Sequence, residues 1–158
     1  MNRLARVGLT LLVSLTAFAD KPKPEVHLSQ PEIKWAQPFG PEGPAFGYVV
    51  GAYGDKKPAS FFVRFPAGAD SGWHIHDADY EAVVLKGTFT EQQQGDAAET
   101  MLPTGTFFTE PGKKNHRNGC LKESECLVFV HMERGASNHP TTADGKLIPV
   151  PSDGKRAK

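Results

Sequence analysis

The sequence has no charge bias. Its 18 Lys and Arg residues are matched by 18 Asp and Glu over 158 residues, and its isoelectric point is near 7.0. A chain without a net field has no electrostatic reason to track a polyanion, so nucleic acid is not the expected partner. Cysteine is scarce: Cys120 and Cys126 are the only two. No stretch keeps apolar residues at helical spacing over a useful length, which removes helical bundles and alternating strand–helix folds from consideration. There is no GxSxG nucleophile elbow and no glycine loop of the kind that cradles phosphate. Internal repeats and low-complexity tracts are missing too.

What is present is punctuation. Sixteen glycines and 13 prolines divide the chain into short apolar runs. "FGYVVGAYG", "ASFFVRF", "GWHIH", "YEAVVLKGTFTEQ", "ETMLP", "TGTFFTE" and "CLVFVHME" read as strands, with "YEAVVLKGTFTEQ" folding back at Gly87. Many short strands with turn signals between them predict an all-β sandwich or barrel, and the length suits one domain.

The two ends read differently. Arg3 and Arg6 precede the apolar run "VGLTLLVSLTAFA", which closes on the small-x-small pattern Ala17-Phe18-Ala19. This predicts a secretory signal peptide over 1–19, cut after Ala19. The run is short for a membrane span, and nothing downstream resembles a second one, so the expected location is the periplasm or outside the cell. Residues 20–45 are too rich in proline for a helix and predict an extended arm. Trp35 and Phe39 in that arm need an apolar surface, either on this domain or on a second copy in a homodimer. The barrel is expected over 46–135 and a solvated tail over 136–158.

Export changes how the cysteines read. Cys120 and Cys126 are too far apart for a CxxC motif, and in an oxidising compartment a close pair predicts a disulfide. Closing so short a loop contributes about 2 kcal/mol.

The chemistry concentrates at "GWHIHDADYEAVVLKG". His74 and His76 stand two apart on a predicted strand, so both imidazoles face one side. Either that side is wet or the two rings share something, and a shared metal ion is the functional alternative. Gly68, His74 and His76 form G-x5-H-x-H, with Glu81 and then Gly87 following. Downstream, Gly105, Pro111 and His116 recur at a fixed spacing, and Pro111-Gly112 suits a type II turn leading into a strand near His116.

These two motifs resemble those of the cupin superfamily, over roughly residues 45–133. "HDADYEAVVLKGTF" is most similar to a branch related to the cupin domains of ChrR-type anti-sigma proteins. The resemblance implies a double-stranded β-helix, or jelly-roll barrel, with an N-terminal arm. It implies one divalent first-row transition metal held by His74, His76, Glu81 and His116. Zinc, iron, manganese, nickel and copper all suit such ligands. The sequence departs from the family pattern in three places, at Glu81, at Lys113 and at Cys120, which occupies the position of the second motif's final asparagine. Glu81 lies one residue too close to Gly87, so counting back from that glycine places Tyr80 in its position. A bulge would reconcile the two counts. The fourth ligand is therefore Glu81, Tyr80, Asp79 or water. Lys113 stands where the second motif has glycine.

Other residues carry less. His131 is either a polar group near the pocket or a hydrogen-bonded strand histidine. Arg64 either binds a substrate carboxylate or lies on a solvated face. Trp73 should face away from His74. His27 and His139 receive no role. Two functions follow from the resemblance: a metal-dependent enzyme, oxygenase- or isomerase-like, acting on a small molecule, or a non-catalytic metal or small-ligand binder.

Overall fold

The computed structural model describes residues 25–149. The predicted signal peptide, the first residues of the arm and positions 150–158 lie outside that range. Among the described residues no helix is long and apolar enough to cross a membrane. The structure is built of strands, plus one 3-10 turn at Gln30–Glu32.

Ten strands form two five-stranded antiparallel sheets. In chain order they are β1 (Ala45–Val50), β2 (Ala59–Phe65), β3 (His74–Ile75), β4 (Tyr80–Lys86), β5 (Thr88–Gln93), β6 (Thr100–Pro103), β7 (Phe107–Glu110), β8 (His116–Cys120), β9 (Cys126–Met132) and β10 (His139–Pro140). The first sheet runs β1-β2-β9-β4-β7 and the second β10-β3-β8-β5-β6. This is the jelly roll expected from the sequence. In β2 and β9 every second residue is buried. Phe61, Val63 and Phe65 thus meet Val128, Val130 and Met132 on one inner face. Phe89 comes from the opposite sheet and lies 5.1 Å from Phe65, ring centre to ring centre, edge to face. Strict alternation of this kind marks a sheet with one wet face and one dry one.

Gly87 carries the chain from the first sheet to the second. Its φ is +78°, and a Cβ there would lie 2.6 Å from the Glu125 carbonyl and 2.9 Å from Cys126 Sγ. Only glycine tolerates both conditions. Cys120 and Cys126 form the expected disulfide, tying β8 in one sheet to β9 in the other.

The arm packs on its own barrel. Ala36 pairs with Phe46, Ile33 is buried, and Phe39 lies edge-on to Phe46. Trp35 lies under the Arg64 guanidinium at 4.5 Å. Gly47 makes this possible, since a Cβ there would press to 2.3 Å from Ile33. Trp35 and Phe39 are therefore covered by this domain itself, whereas Val26 and Leu28 of the arm stay exposed. The barrel also extends past residue 135: β10 pairs with β3, and Thr141 is buried with its hydroxyl on Asn115 Oδ1. Sequence reasoning missed this strand because "NHPTTADG" has turn composition and a two-residue pairing leaves no periodicity.

The turn before His116 also differs from expectation. The left-handed residue is Lys113, at φ 61°, and not Gly112. Gly112 is needed for a different reason: a Cβ there would come within 2.8 Å of Ala78. Lys113 takes the strained position that cupins give to glycine, and its N–H donates to the His76 carbonyl at 2.7 Å. The left-handed conformation costs roughly 1 kcal/mol for a residue with a side chain.

Candidate metal centre

Strands β3 and β8 bring three histidines together. His74 and His76 project inward from either side of Ile75, and His116 is the direct cross-strand partner of His74. All three are buried, His116 completely. Their ring centres are 4.3 Å (74–116), 4.9 Å (74–76) and 5.2 Å (76–116) apart. One ring nitrogen from each falls within 4.8 Å of the others.

The hydrogen bonds fix the tautomers. Each Nδ1 faces a backbone carbonyl: Gly72 for His74 at 2.9 Å, Ser137 for His76, and Lys114 for His116 at 2.9 Å. A carbonyl only accepts, so each Nδ1 carries the proton and each Nε2 keeps its lone pair. His116 Nε2 is buried with no hydrogen-bond partner. An acceptor left so in the interior is costly, and a metal ion is a partner that would satisfy it. Burial, and then the neighbouring His116, hold His76 down to about 4, and burial lowers His116 as well. Those two rings are therefore neutral at physiological pH, which is the form a metal needs.

The fourth position differs from the sequence expectation. Glu81 is exposed on the outer face of β4, paired across the ladder with His131 and Thr109, and is not in the cluster. The structure does contain a bulge, at the register shift between Val84 and Lys86. It lies beyond Glu81 from the histidines, so it cannot turn that carboxylate inward. Asp79 is also exposed, and it accepts the Gly112 N–H at 2.8 Å. Of the named candidates only Tyr80 faces the site. Its ring is 5.1 Å from His76 and 6.2 Å from His116, and burial pushes its hydroxyl well above the usual phenol range.

The remaining candidates point outward. Arg64 lies on Trp35, and half-buried His131 pairs with the Ser60 hydroxyl at 2.9 Å. Trp73 is half-buried, with the Arg117 guanidinium 5.7 Å from its ring centre. His139 meets Asp77 at the surface. His27 is exposed beside Glu25.

Sequence reasoning missed Glu110. It is the cross-strand partner of Tyr80 and is completely buried, with Oε1 3.6 Å from His116 Nδ1 and 3.5 Å from Gln93 Nε2. Burial, and then the Glu91 carboxyl beside it, raise its pKa to about 9. The contact with His116 is thus between two neutral groups, not an ion pair. The alternation of β7, with Phe108 and Glu110 both inward, was the signal that could have exposed it.

This gives a pH-dependent expectation for the metal-free protein. Above about pH 4.5 the unfolded chain releases the Glu110 proton while the folded chain keeps it, so this group lowers stability as pH rises toward 9. Glu110→Gln, which is neutral at every pH, should be more stable than the parent by on the order of 2 kcal/mol near pH 8. The gain should vanish near pH 4.5. Urea midpoints at the two pH values check it, and a gain that does not change with pH would contradict it.

Beneath the histidines is a cavity of about 410 Å³. His74, His76 and Tyr80 form part of its wall. Phe39 of the arm, Tyr53 after β1 and Asn138 before β10 also line it, and the Tyr53 hydroxyl donates to the Asn138 carbonyl at 3.2 Å.

Comparison with solved structures finds the same fold. KdgF from Halomonas sp. superposes with a TM-score of 0.56 at 20% identity, over 70% of this chain and 96% of that one. An RmlC-like cupin from Shewanella frigidimarina gives 0.57 at 16% identity, over 71% and 93%. A structure from work on the DMSP lyases RdDddP and RnDddQII gives 0.57 at 20% identity, over 71% and 64%. No curated protein matches the chain. A family model does, over residues 25–146, which takes in the arm, all ten strands and the three histidines. The barrel has the cupin fold, and the chain belongs to the family described as Domain of unknown function (DUF4437).

Proposed function

We propose that the protein is an exported metal-binding cupin in which His74, His76 and His116 hold one divalent first-row transition ion and a small molecule binds beside it. One observation carries this reading: three buried imidazoles are each oriented by a backbone carbonyl, and His116 Nε2 is left without a partner. When bound, such an ion would supply Lewis acidity, or a redox centre if it is iron, manganese or copper. The chain's own contribution is to hold three imidazoles in place and to line the adjoining chamber mostly with apolar side chains. Tyr80 presents a neutral phenol to the same space. The leader-like residues 1–19 and the Cys120–Cys126 bond support export.

Two facts favour an enzyme: the site opens on a cavity of about 410 Å³, and KdgF and a chain from the work on DMSP lyases share the fold. The likeness of the first motif to ChrR-type sensor cupins, together with the lack of a charged general base in the cavity wall, favours a binder. A homodimer would use the apolar row Phe62–Phe129–Val83–Phe107 across the outer face of the first sheet, where Phe107 is 60% exposed.

The test is elemental analysis of protein isolated from its native compartment without chelators, with the intact mass of the same sample giving the start of the mature chain. About one equivalent of metal per chain is expected, on a chain beginning at Asp20. No metal, and none taken up on reconstitution, would sink the reading. Turnover of a small molecule by the loaded protein, and not by the stripped one, separates enzyme from binder.

A further inference from the structure

The wall of the cavity contains no Asp, Glu, Lys or Arg side chain among the described residues. Its surface is mostly aromatic and aliphatic, from Phe46, Phe61, Phe65, Phe89, Phe108 and Val130 among others. Arg64 faces outward, over Trp35. A carboxylate or phosphate entering this space would lose its hydration and find no fixed positive group on the protein to replace it, which is strongly unfavourable.

A second observation concerns Asn118. It lies on β8 two residues after His116, on the same inward face, and lines the cavity. It is only 6% exposed, and its side-chain Nδ2 has no hydrogen-bond partner. Its backbone is tied down on both sides: Asn118 N donates to the Ser71 hydroxyl at 2.9 Å, and Ser71 N donates to the Asn118 carbonyl at 2.8 Å. A fixed, buried amide donor with nothing to donate to is costly unless something entering the cavity accepts from it.

From these two observations we infer that the cavity takes an uncharged, predominantly apolar small molecule bearing a carbonyl, ether or hydroxyl oxygen that accepts from Asn118 Nδ2. The inference rests on the proposed reading in taking this cavity as the binding space, but it does not require the metal. Aromatic walls select flat apolar bodies by area and ring contact. The Asn118 amide would set the orientation and place the oxygen on the same strand face as His116. In the metal-free protein, discrimination against anions follows from what the wall lacks.

The test uses three fluorescent probes built on one ring system: the neutral ketone 6-propionyl-2-(dimethylamino)naphthalene, the same ring with a propyl group in place of the ketone, and the 6-(dimethylamino)-2-naphthoate anion. Each is titrated into the full, metal-free protein near pH 7. The ketone should bind with blue-shifted emission, the hydrocarbon roughly tenfold more weakly, and the carboxylate more weakly still. Asn118→Leu, checked by its melting curve, should remove the preference of ketone over hydrocarbon. Comparing the probes on the parent protein gives the same answer if that variant does not fold. A carboxylate that binds as tightly as the ketone would overturn the uncharged class. Equal affinity for ketone and hydrocarbon would overturn the role of Asn118. Because the protein is metal-free, failure here leaves the metal reading intact, and failure of the elemental analysis leaves this inference intact.

Discussion

Metal content should collapse in a His116→Ala protein and stay at the parental level in a Glu81→Ala protein. His116 offers the one ring nitrogen in the cluster that is buried with no hydrogen-bond partner, and its ring faces both other imidazoles. Removing an outer group that merely orients a ligand weakens metal binding about 10–100-fold, so losing a ligand itself should exceed 100-fold. Glu81 lies on the other side of the sheet wall, exposed and paired with His131 across the ladder. Reconstitution with a limiting divalent ion, followed by desalting and elemental analysis, measures both. Equal retention by His116→Ala would move the site elsewhere. Loss of metal from Glu81→Ala would require the strand to turn over in the loaded protein. The substitution also opens a hole in the interior, so a melting curve of the stripped variant must show that it is folded before its metal content is read.

Gly135→Ala should be the most damaging glycine-to-alanine change among the described residues. Gly135 has φ +95°, and a Cβ there would lie 1.9 Å from the Asp55 carbonyl oxygen and 2.9 Å from its carbon. The obstacle is backbone, so no side chain can swing aside. The left-handed conformation and the collision together should cost roughly 3 kcal/mol or more. The loss is also local. Gly135 lets the loop between β1 and β2 lie against the chain leaving β9, where Tyr53 pairs with Ala136 and Gly54 N donates to the Ala136 carbonyl. Ser137, which accepts from His76 Nδ1 and caps Asp77 N through its hydroxyl, comes two residues later. Thermal unfolding should show the destabilisation, and the metal affinity of whatever remains folded should fall with it. Gly95→Ala is the control: its φ is similar at +97°, but a Cβ there meets nothing within 4 Å. Near-equal losses in the two variants would mean that backbone conformation alone, and not the Asp55 contact, sets the cost.

Most of the barrel was legible because its signal is local. Alternation along ASFFVRF and CLVFVHM, and the glycine at residue 87, state which side of each strand is dry and where the chain changes sheet. The three histidines were legible for the same reason: two share a strand at period two, and the third follows a proline turn at fixed spacing. Glu81 misled because its distance from His76 matches the family motif. Asp77–Asp79 form an irregular segment, so counting through them loses the parity of the strand, and only counting back from Gly87 placed Tyr80 inward. The residues that finish the site, Ser137, Asn118 and Glu110, carry no motif. Each matters through a contact far away in sequence: Ser137 accepts from His76, Asn118 is held by Ser71, and Glu110 lies opposite Tyr80. Such pairings are set by how the sheets close, and no window along the chain contains them.

The three backbone carbonyls behind His74, His76 and His116 have a consequence for exchange. Each ring is held by the fold itself, so the coordinating face exists before any ion arrives. The empty and loaded proteins should then share one shape, and loading should be reversible without refolding. Different ions can then be compared on one frame, and which of them a native sample carries would depend on supply in its compartment as much as on the protein. A series of substituted forms would then differ in reactivity alone, because nothing in the scaffold has to rearrange to accept one ion in place of another.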